Sequence, residues 1–421
     1  SGHWYGRALA AAADGTLYAC GEAYNAPGGH GSNNDAVVMR VNGKDLKPIW
    51  SAAKVFGGTS YDYCKDIVAT KTGAVFVGYR NGTGANNELW LAGLDSAGKL
   101  LWEKQHGGNA ADLGMKLVAL SDGFAAVGHT QSKGEGNYDI WVLRTDTKGA
   151  LLWDRTIGEA SHDFGDGITA LPGGDLAVAG RRYVVAKGRT LPWMARLSAA
   201  GAIKWQRALA TTKNDQLLDV VAAKTGGLTF AGRAYRKDGV DNYLEGWLVR
   251  TDAWGHVSCK EAGGCSDKGV AACDDKNVCT QDLCSQAKGC THTPTEAAWT
   301  CADGKFCTLD ACDIKTGKCT HKTDKACEDC QKGILGKPWS SVIDGGGLNS
   351  DELWGVGVFS NGDVAWAGYS YNGANGYDLW TIRTNAHGKV LWTLKPAAAS
   401  HHQYGYDLTL TADDSVVVAG I

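Results

Sequence analysis

The 421-residue sequence has few prolines, no long apolar run and no marked excess of charge of either sign. It contains seven prolines against 58 glycines, a composition typical of many short strands joined by tight turns. No uninterrupted apolar stretch approaches the ~18 residues that a membrane-spanning helix needs. A net charge of −3 without a basic stripe argues against a nucleic-acid-binding protein.

The common catalytic motifs are also missing. There is no Gly-x-Ser-x-Gly elbow, no phosphate-binding loop and no His-Glu-x-x-His helix. Haem attachment after Cys330 would need a histidine at the next position, which is Gln331. The chain begins at Ser1 without a signal peptide, so we expect a processed or recombinant mature segment. These absences leave no reaction to name.

A repeat runs through most of the chain. Its most visible marker is a tryptophan at the end of each unit, at Trp50, Trp102, Trp153, Trp205, Trp339 and Trp392. The spacings are 52, 51 and 52 residues, then 134, then 53. Within a unit, apolar residues alternate with period two between Asp-Gly, Gly-Gly or Asn-Gly turns, which predicts four strands, A to D. Four-stranded units at this spacing predict an all-β fold, a β-propeller with antiparallel blades.

The markers also give the number of blades. The glycine near the end of strand B occurs seven times, at Gly21, Gly78, Gly128, Gly180, Gly232, Gly368 and Gly420. Strands C and D occur only six times. We therefore expect a seven-bladed propeller of which six and a half blades are present. Either two further strands beyond residue 421 or another segment would complete the ring.

The repeat supports a family resemblance. One unit reads Trp102, Gly107-Gly108, Asp112, Asp122-Gly123, Ala126-Val127-Gly128, Asp139-Ile140-Trp141 and Leu143-Arg144. This pattern resembles the repeats of secreted bacterial β-propeller proteins, which are broadly kelch- or WD-like in architecture. The resemblance covers about 340 of the 421 residues. It implies the fold but says little about activity, because propellers serve as both enzymes and binding scaffolds.

Cysteine is concentrated in one segment that interrupts the fifth blade. Of fourteen cysteines, twelve lie between Cys259 and Cys330. Strand D of this blade is expected to begin at Trp254-Gly255-His256-Val257 and to resume at Lys337-Pro338-Trp339. The predicted domains are therefore blades 1 to 5 over residues 1–257, a cysteine-rich insert over 258–336, and blades 6 and partial 7 over 337–421.

The cysteines are predicted to form disulfides. Only Cys327 and Cys330 have CxxC spacing, and no second pair lies at zinc-finger distance. Disulfides need an oxidising environment, which places the protein outside the cell, on its surface or in the periplasm. Cys20 and Cys64, in adjacent blades, are expected to bridge them, the alternative being two buried free thiols. The predicted disulfide cysteines are Cys20, Cys64, Cys259, Cys265, Cys273, Cys279, Cys284, Cys290, Cys301, Cys307, Cys312, Cys319, Cys327 and Cys330.

The insert contains two similar units with the spacing C-x5-C-x4-C-x5-or-6-C-Thr-His. They begin at Cys273 and Cys301 and resemble cysteine-rich repeats of secreted bacterial surface proteins. Each unit is too small to bury a core and allows three disulfide pairings, among which the sequence does not choose.

Oxygen-bearing side chains beside these cysteines suggest a calcium site. The candidate ligands are Asp274, Asp275, Asn277 and Asp282. The alternative is solvated turn residues, because the second unit keeps only Asp303 and Asp310. His292 and His321 also recur, and a structural or exposed role is expected for them rather than zinc binding.

Five tryptophans fall outside the repeat positions and are candidates for exposed, sugar-stacking side chains: Trp4, Trp254, Trp299, Trp354 and Trp366. Trp299 is the preferred ligand-binding candidate, because it links the two cysteine units where burial is difficult to arrange.

Other candidate residues are expected to be structural. Acids recur on strand C (Asp35, Glu88, Asp139, Glu245, Asp378) and on strand A (Asp62, Asp112, Asp163, Asp215, Asp351). A catalytic acid should be unique or paired with one other, whereas repetition in blade after blade predicts turn hydrogen bonds or contacts between blades. His401-His402 and His162-Asp163 suggest a metal site or a base, but exposed and inert histidines are expected in blade-connecting loops.

These observations favour an extracellular or cell-surface binding or adhesion scaffold that recognises a protein or glycan partner. A first alternative is a secreted polysaccharide-acting enzyme with its site in the propeller mouth. A second is a structural subunit of an extracellular assembly, in which another chain completes the seventh blade. No cofactor other than calcium is expected.

Overall fold

The computed structural model describes residues 3–29, 33–81, 86–209, 211, 213–224, 226–238, 241–257, 280–285, 289–294, 308–313, 318–323, 339–345, 350–372, 376–396 and 402–421. The chain divides into two compact units. The first comprises Ser1–Lys224, Leu228–Val249 and Ser340–Ile421, and the second Thr225–Gly227 and Arg250–Trp339.

The first four sheets each contain four consecutive antiparallel strands. Blade 1 contains β1 (Trp4–Ala11), β2 (Thr16–Tyr24), β3 (Asn34–Asn42) and β4 (Lys54–Phe56). Blade 2 contains β5 (Asp62–Ala69), β6 (Gly73–Asn81), β7 (Asn87–Asp95) and β8 (Leu100–His106). Blade 3 contains β9 (Asp112–Leu120), β10 (Gly123–Thr130), β11 (Asp139–Thr145) and β12 (Leu151–Ile157). Blade 4 contains β13 (Asp163–Ala170), β14 (Leu176–Val184), β15 (Arg189–Leu197) and β16 (Ile203–Ala208).

Blade 5 is interrupted in the sequence. It begins with β17 (Gln216–Ala222), β18 (Leu228–Asp238) and β19 (Asp241–Thr251). Four short strands follow in the second unit: β20 (Thr280–Ser285), β21 (Gly289–Pro294), β22 (Thr308–Asp313) and β23 (Lys318–Thr323). The next strand, β24 (Trp339–Ile343), then pairs with β19 as the fourth strand of the blade.

Blade 6 contains β25 (Glu352–Val358), β26 (Val364–Tyr371), β27 (Tyr377–Thr384) and β28 (Val390–Leu394). The last sheet has two strands, β29 (Gly405–Leu410) and β30 (Val416–Gly420). The predicted fold class is therefore confirmed as an all-β propeller, with six four-stranded antiparallel blades and a two-stranded seventh sheet.

The first strands of the seven sheets form a closed ring. In order, β1, β5, β9, β13, β17, β25 and β29 each contact the next, and β29 contacts β1. The two-stranded sheet therefore occupies the seventh position between blade 6 and blade 1.

A β-bulge recurs at the same place in all seven inner strands. In blade 2, the register shifts between Cys64 and Asp66, so that Lys65 is the extra residue. The bulge brings the inner strand close to the glycine that marks strand B. A Cβ atom on Gly78 would lie 1.8 Å from the carbonyl oxygen of Tyr63, and the other six marker glycines have contacts of 1.8 to 2.1 Å. The seven glycine markers thus follow from the close approach of two backbones.

Tryptophans occupy two layers of the blades. Those of strand C are buried, and Trp141 is an example, with its Nε1 donating to the Asp154 carboxylate at 2.9 Å. The tryptophans that close the repeats can reach the following blade: Nε1 of Trp50, which precedes β4, donates to the Ser96 carbonyl of blade 2 at 3.1 Å. Trp50 is 7% exposed, whereas Trp392 of blade 6 is 37% exposed.

Two details of the sequence interpretation were wrong. Trp366, grouped with the candidates for exposed aromatics, lies on β26 and is fully buried, because strand B is the central layer of its blade. Trp254–Val257 does not start strand D, which is β24 instead. Residues 252–257 form a turn in which the Asp252 carboxylate accepts the backbone N–H groups of Trp254 and His256.

A disulfide joins blades 1 and 2. Cys20 on β2 and Cys64 on β5 are both buried and are bonded to each other, with Cα atoms 5.9 Å apart. The bond therefore connects strand B of one blade to the inner strand of the next.

The second unit contains two hairpins. In β20–β21, Cys284 lies opposite Cys290 and Asp282 opposite His292. In β22–β23, Cys312 lies opposite Cys319 and Asp310 opposite His321. The two cysteine units recognised in the sequence therefore share one backbone register.

Candidate functional site: an aromatic rim at the start of the inner strands

Three positions in each blade meet near the start of the inner strands, and we call them together the rim. Two positions lie on strand A, one being the bulge residue, and the third is the residue after the marker glycine on strand B. The rim consists of Tyr5, Arg7, Glu22, Tyr63, Lys65, Tyr79, Leu113, Met115, His129, Phe164, Asp166, Arg181, Gln216, Leu218, Arg233, Glu352, Trp354, Tyr369, Tyr404, Tyr406 and Ile421. The residue types differ from blade to blade, whereas the positions that build the repeat are nearly invariant.

The recurring acids of strand A have a different environment. The carboxylates of Asp62, Asp112 and Asp351 accept backbone N–H groups of the preceding connection, from Gly58 at 2.6 Å, from Gly108 at 2.9 Å and from Gly345 at 2.7 Å. These acids fix the loop between blades, as repetition predicted.

A chain of two aromatic rings between two arginines runs across blades 1, 7, 6 and 5. The guanidinium of Arg7 lies 4.5 Å from the ring centre of Tyr406, and the Tyr406 ring meets Trp354 edge-on at 6.2 Å. Arg233 lies 5.7 Å from the ring of Trp354. Cation–π contacts of this kind hold aromatic faces in fixed orientations.

Blades 6 and 7 supply a dense group of tyrosines. Tyr404 stacks on Tyr406 at 6.2 Å and meets Tyr369 at 4.8 Å and Tyr377 at 5.4 Å. His402 is exposed and stacks on Tyr404 at 6.0 Å. Burial and the neighbouring Glu352 raise the pKa of Tyr369, so its hydroxyl stays protonated and can donate a hydrogen bond.

Blade 2 provides a smaller aromatic group. Tyr63 packs against Tyr79 at 4.7 Å and stacks on the exposed Tyr61 at 6.5 Å. Lys65 Nζ lies 4.8 Å from the ring centre of Tyr63 and 5.3 Å from that of Tyr79.

Blades 3 and 4 add a third group. His129 meets Tyr138 at 5.1 Å and Phe164 at 4.9 Å, both edge-on. His129 is buried, and burial lowers its pKa to about 3, so the ring is neutral. His162, a candidate metal ligand or base in the sequence, is exposed and stacks on Phe164 at 6.0 Å.

Three rim cations are paired with rim carboxylates. Arg7 donates to Glu22 at 2.8 Å, Arg181 to Asp166 at 2.6 Å and Arg233 to Glu352 at 2.6 Å. The last pair connects blade 5 to blade 6. These pairs limit the motion of long side chains, so the aromatic faces beside them are held in place before any ligand arrives.

One residue further along the inner strands, a lysine lies among three aspartates. Lys116 Nζ is 2.9 Å from Asp407 Oδ1 and 3.9 Å from carboxylate oxygens of both Asp66 and Asp219. Burial would lower the pKa of Lys116, but the three carboxylates outweigh it and hold that pKa well above its usual value. Burial raises the pKa of Asp66 to about 7 and of Asp219 to about 6, although Lys116 opposes both shifts.

The same aspartates connect blades through the backbone. Asp66 accepts the N–H of Leu117 in the next blade at 2.7 Å, and Asp219 accepts that of Val356 at 3.2 Å. This cluster is therefore a structural element at the ring's centre, because every carboxylate in it already has partners.

The site residues predicted from sequence do not coincide with the rim. Four of them lie outside the described residues, namely Asp274, Asp275, Asn277 and Trp299. The fifth, Asp282, is a residue of strand β20. Among the residues that the structure describes, no group of three or more His, Cys, Asp or Glu side chains could hold a metal ion. Of the other off-repeat tryptophans, Trp354 alone belongs to the rim.

The sequence contained a signal for the rim that motif searching missed. The residue after the marker glycine is Glu22, Tyr79, His129, Arg181, Arg233, Tyr369 or Ile421. Six of these seven residues are polar or aromatic, and their variation directly beside an invariant glycine indicates a role other than building the repeat.

Comparison with known proteins identifies the insert rather than the propeller. Residues 272–295 and 300–323 match the family model described as the Dictyostelium (slime mold) repeat, so two copies of that repeat are present. The chain is 36% identical over 80 residues to protein psiN of Dictyostelium discoideum, which covers 17% of this chain and 11% of psiN. It is 30% identical over 88 residues to protein psiQ of the same organism, covering 14% of this chain and 9% of psiQ.

The match thus spans about a tenth of the length of these curated relatives. Because both are slime-mould proteins, they give no support to the bacterial origin that the sequence resemblance implied.

Solved structures resemble the chain at low similarity. Sqt1 from Chaetomium thermophilum has a TM-score of 0.47 and 9% identity, covering 99% of this chain and 94% of that one. The β-propeller domain of the Trilobed protease from Pyrococcus furiosus has a TM-score of 0.34 and 11% identity, covering 91% and 95%. The fold assignment rests on the strand pairing itself. Among the described residues, no helix is long and apolar enough to cross a membrane.

Proposed function

We propose that this protein is an extracellular binding scaffold and that the rim is its ligand-binding surface, with glycans as the ligand class. The observation that carries the proposal is the group formed by Trp354, Tyr369, Tyr404 and Tyr406. Their rings gather at one end of the inner strands, beside ion pairs that orient them.

Sugars suit this combination of groups. Aromatic faces bind the apolar C–H faces of a pyranose, and tyrosine hydroxyls add hydrogen bonds at their edges. Fixed charges such as Arg233–Glu352 supply further donors and acceptors for hydroxyl groups. A few polar groups set among aromatic rings are the usual composition of a small-molecule site.

The extracellular part of the proposal rests on cysteine chemistry. A buried disulfide joins Cys20 and Cys64, and the insert carries twelve more cysteines. Disulfides persist in oxidising compartments and are rare in the cytosol. The insert that interrupts blade 5 in the sequence contains two further repeats. A second module of this kind suits a scaffold that binds more than one partner.

A glycan array followed by calorimetric titration of the best ligand tests the proposal. Tyr406→Ala should weaken binding by up to about 10-fold, since stacking on one ring is worth about 0.5–1.5 kcal/mol. Trp392→Ala is the matched control, because Trp392 is an exposed aromatic on the outer strand of blade 6. Equal binding by both variants, or an array without any hit, would contradict a glycan-binding rim. Turnover of any sugar on the array would mean that the protein is an enzyme rather than a binding scaffold.

A second candidate is a structural subunit, favoured by the seventh sheet. Within the described residues, β30 pairs only with β29, and Trp392 is exposed whereas Trp50 is buried. A hairpin from a neighbouring molecule could add to this edge and cover Trp392. Light scattering over a range of protein concentrations tests this, with Trp392→Glu as the variant expected to block association. A monomer at every concentration would remove this candidate.

A further inference from the structure

Lys65 differs from the other rim cations in its partners. Arg7, Arg181 and Arg233 each donate to a carboxylate at 2.8 Å or less. No carboxylate of the described residues forms an ion pair with Lys65, whose ammonium contacts only the rings of Tyr63 and Tyr79. Its position on the bulge of β5 is what aims it at the rim.

The charges around Lys65 leave one uncompensated positive charge. Glu22 and Arg7 both act on the Lys65 ammonium, but they are bonded to each other and their charges cancel. Burial lowers the pKa of Lys65 to about 8, so the ammonium is still mostly protonated at pH 7 while it has lost much of its water. A buried charge without a partner is costly, and an incoming anion would remove that cost.

We propose that Lys65 is an anion-binding position that selects acidic over neutral glycans, by pairing with the carboxylate of a uronic acid. The inference rests on the proposed function, because the sugar rings would stack on the tyrosines that flank the ammonium. Tyr63 and Tyr79 pair across β5 and β6, and the Lys65 ammonium lies 4.8 Å and 5.3 Å from their ring centres, so a pyranose on either ring would place a substituent within reach of Nζ. A sulfate ester has the same charge and acceptor oxygens, and the experiment separates the two sources.

The test compares an oligogalacturonate with its methyl ester, which has the same sugar rings without the charge. Sulfated chondroitin oligosaccharide is the third ligand. Lys65→Met should weaken oligogalacturonate binding by about 10- to 100-fold and leave the methyl ester unaffected. Lys65→Arg should restore part of the loss. Lys54→Met is the matched control, because Lys54 also lies over an aromatic ring, that of Trp50, but on the outer strand β4.

A second measurement does not depend on the affinity of the neutral ligand. Acetylation of individual lysines, followed by peptide mass spectrometry, should show Lys65 protected by oligogalacturonate but not by the methyl ester, with Lys54 unchanged. Protection by the sulfated oligosaccharide alone would reassign the anion to sulfate and overturn the uronic acid.

The two proposals fail in different ways. One outcome would overturn the anion-binding position but keep the glycan-binding rim. In that outcome, neutral sugars bind and Tyr406→Ala weakens their binding, whereas Lys65→Met has no effect and Lys65 is not protected. Absence of all sugar binding together with an unprotected Lys65 overturns both.

Discussion

Lys116 on β9 donates to Asp407 on β29 over 2.9 Å, and these two residues are 291 positions apart in the chain. Asp407 also accepts the backbone N–H of Leu9 in blade 1 at 3.1 Å. The same carboxylate therefore connects the third, seventh and first positions of the ring. One cation and three carboxylates at the centre thus join blades 2, 3, 5 and 7, of which only blades 2 and 3 are consecutive in the sequence.

Removal of the central cation should destabilise the propeller strongly at alkaline pH. Lys116→Met leaves Asp66, Asp219 and Asp407 facing one another, and breaking a buried ion pair costs about 3–5 kcal/mol. Part of this loss should return at pH 5, because the carboxylates can then take up protons. Urea unfolding at pH 8 and pH 5 measures both effects, with the exposed Lys104→Met as control. A uniform loss at both pH values would contradict the electrostatic explanation.

Asp66 should make the wild-type protein more stable as the pH falls from about 8 to 5. Its pKa is about 7 in the folded protein and about 4 in an unfolded chain, so the folded state binds more protons in this range. The stability it contributes is complete below the unfolded pKa and is lost as the pH rises through 7. Asp66→Asn should therefore flatten the pH dependence of the unfolding free energy. An unchanged slope would show that other groups cause it.

The marker glycine on strand B, which lies opposite the bulge of strand A, should not tolerate even one methyl group. A Cβ on Gly128 would lie 1.8 Å from the backbone carbonyl oxygen of Leu113. We expect Gly128→Ala to cost about 2–4 kcal/mol, since two backbone strands must separate. Gly58→Ala is the control, because the nearest atom to its Cβ is Arg80 Nη2 at 3.5 Å. Thermal unfolding of the two variants should differ clearly, and similar melting temperatures would count against the close approach.

The disulfide between blades 1 and 2 should contribute substantially to stability. It closes a loop of 44 residues, for which the chain-entropy model gives about 4 kcal/mol. The double variant Cys20→Ala/Cys64→Ala should unfold at a correspondingly lower urea concentration. Peptide mapping without reductant should recover the two cysteines in one linked pair. Free thiols at both positions would restore the alternative that the sequence left open.

The backbone register of the insert hairpins favours one of the pairings that the cysteine spacing left open. Residues directly opposite in an antiparallel pair have Cα atoms about 4.5–5.5 Å apart, a separation that a disulfide can bridge. We therefore expect Cys284 to be linked to Cys290 and Cys312 to Cys319. Partial digestion and mass spectrometry under non-reducing conditions will show these links. Any other partner for Cys284 or Cys312 would reject the prediction.

Much of the fold was readable from repeats, and the reason is local. Each blade needs the same turn residues and the same glycine opposite the bulge, and blades 2 to 6 share a buried tryptophan on strand C, so the chain repeats them. The seven marker glycines predicted seven inner strands, and the six sets of C and D strands predicted six complete blades. The start of strand D in blade 5 was misplaced because a turn capped by Asp252 resembles the entrance to a strand.

The rim could not be predicted in this way. Its members come from different blades, and no short motif connects Arg7, Tyr406, Trp354 and Arg233. From the sequence, Trp366 and Trp354 were equally good candidates for exposed aromatic side chains, because both lie outside the repeat positions. Trp366 is buried because of its position in the alternation of side chains along strand B. Trp354 lies at the rim because it is the bulge residue of strand A.

The sequence by itself determined the class of fold and the strand order within each blade, because these depend on local periodicity and turn chemistry. The tertiary structure decided which side chains meet around the ring. Closing seven inner strands brings Lys116 to Asp407 and Arg7 to Tyr406, and such contacts depend on the distance between strands in space rather than along the chain.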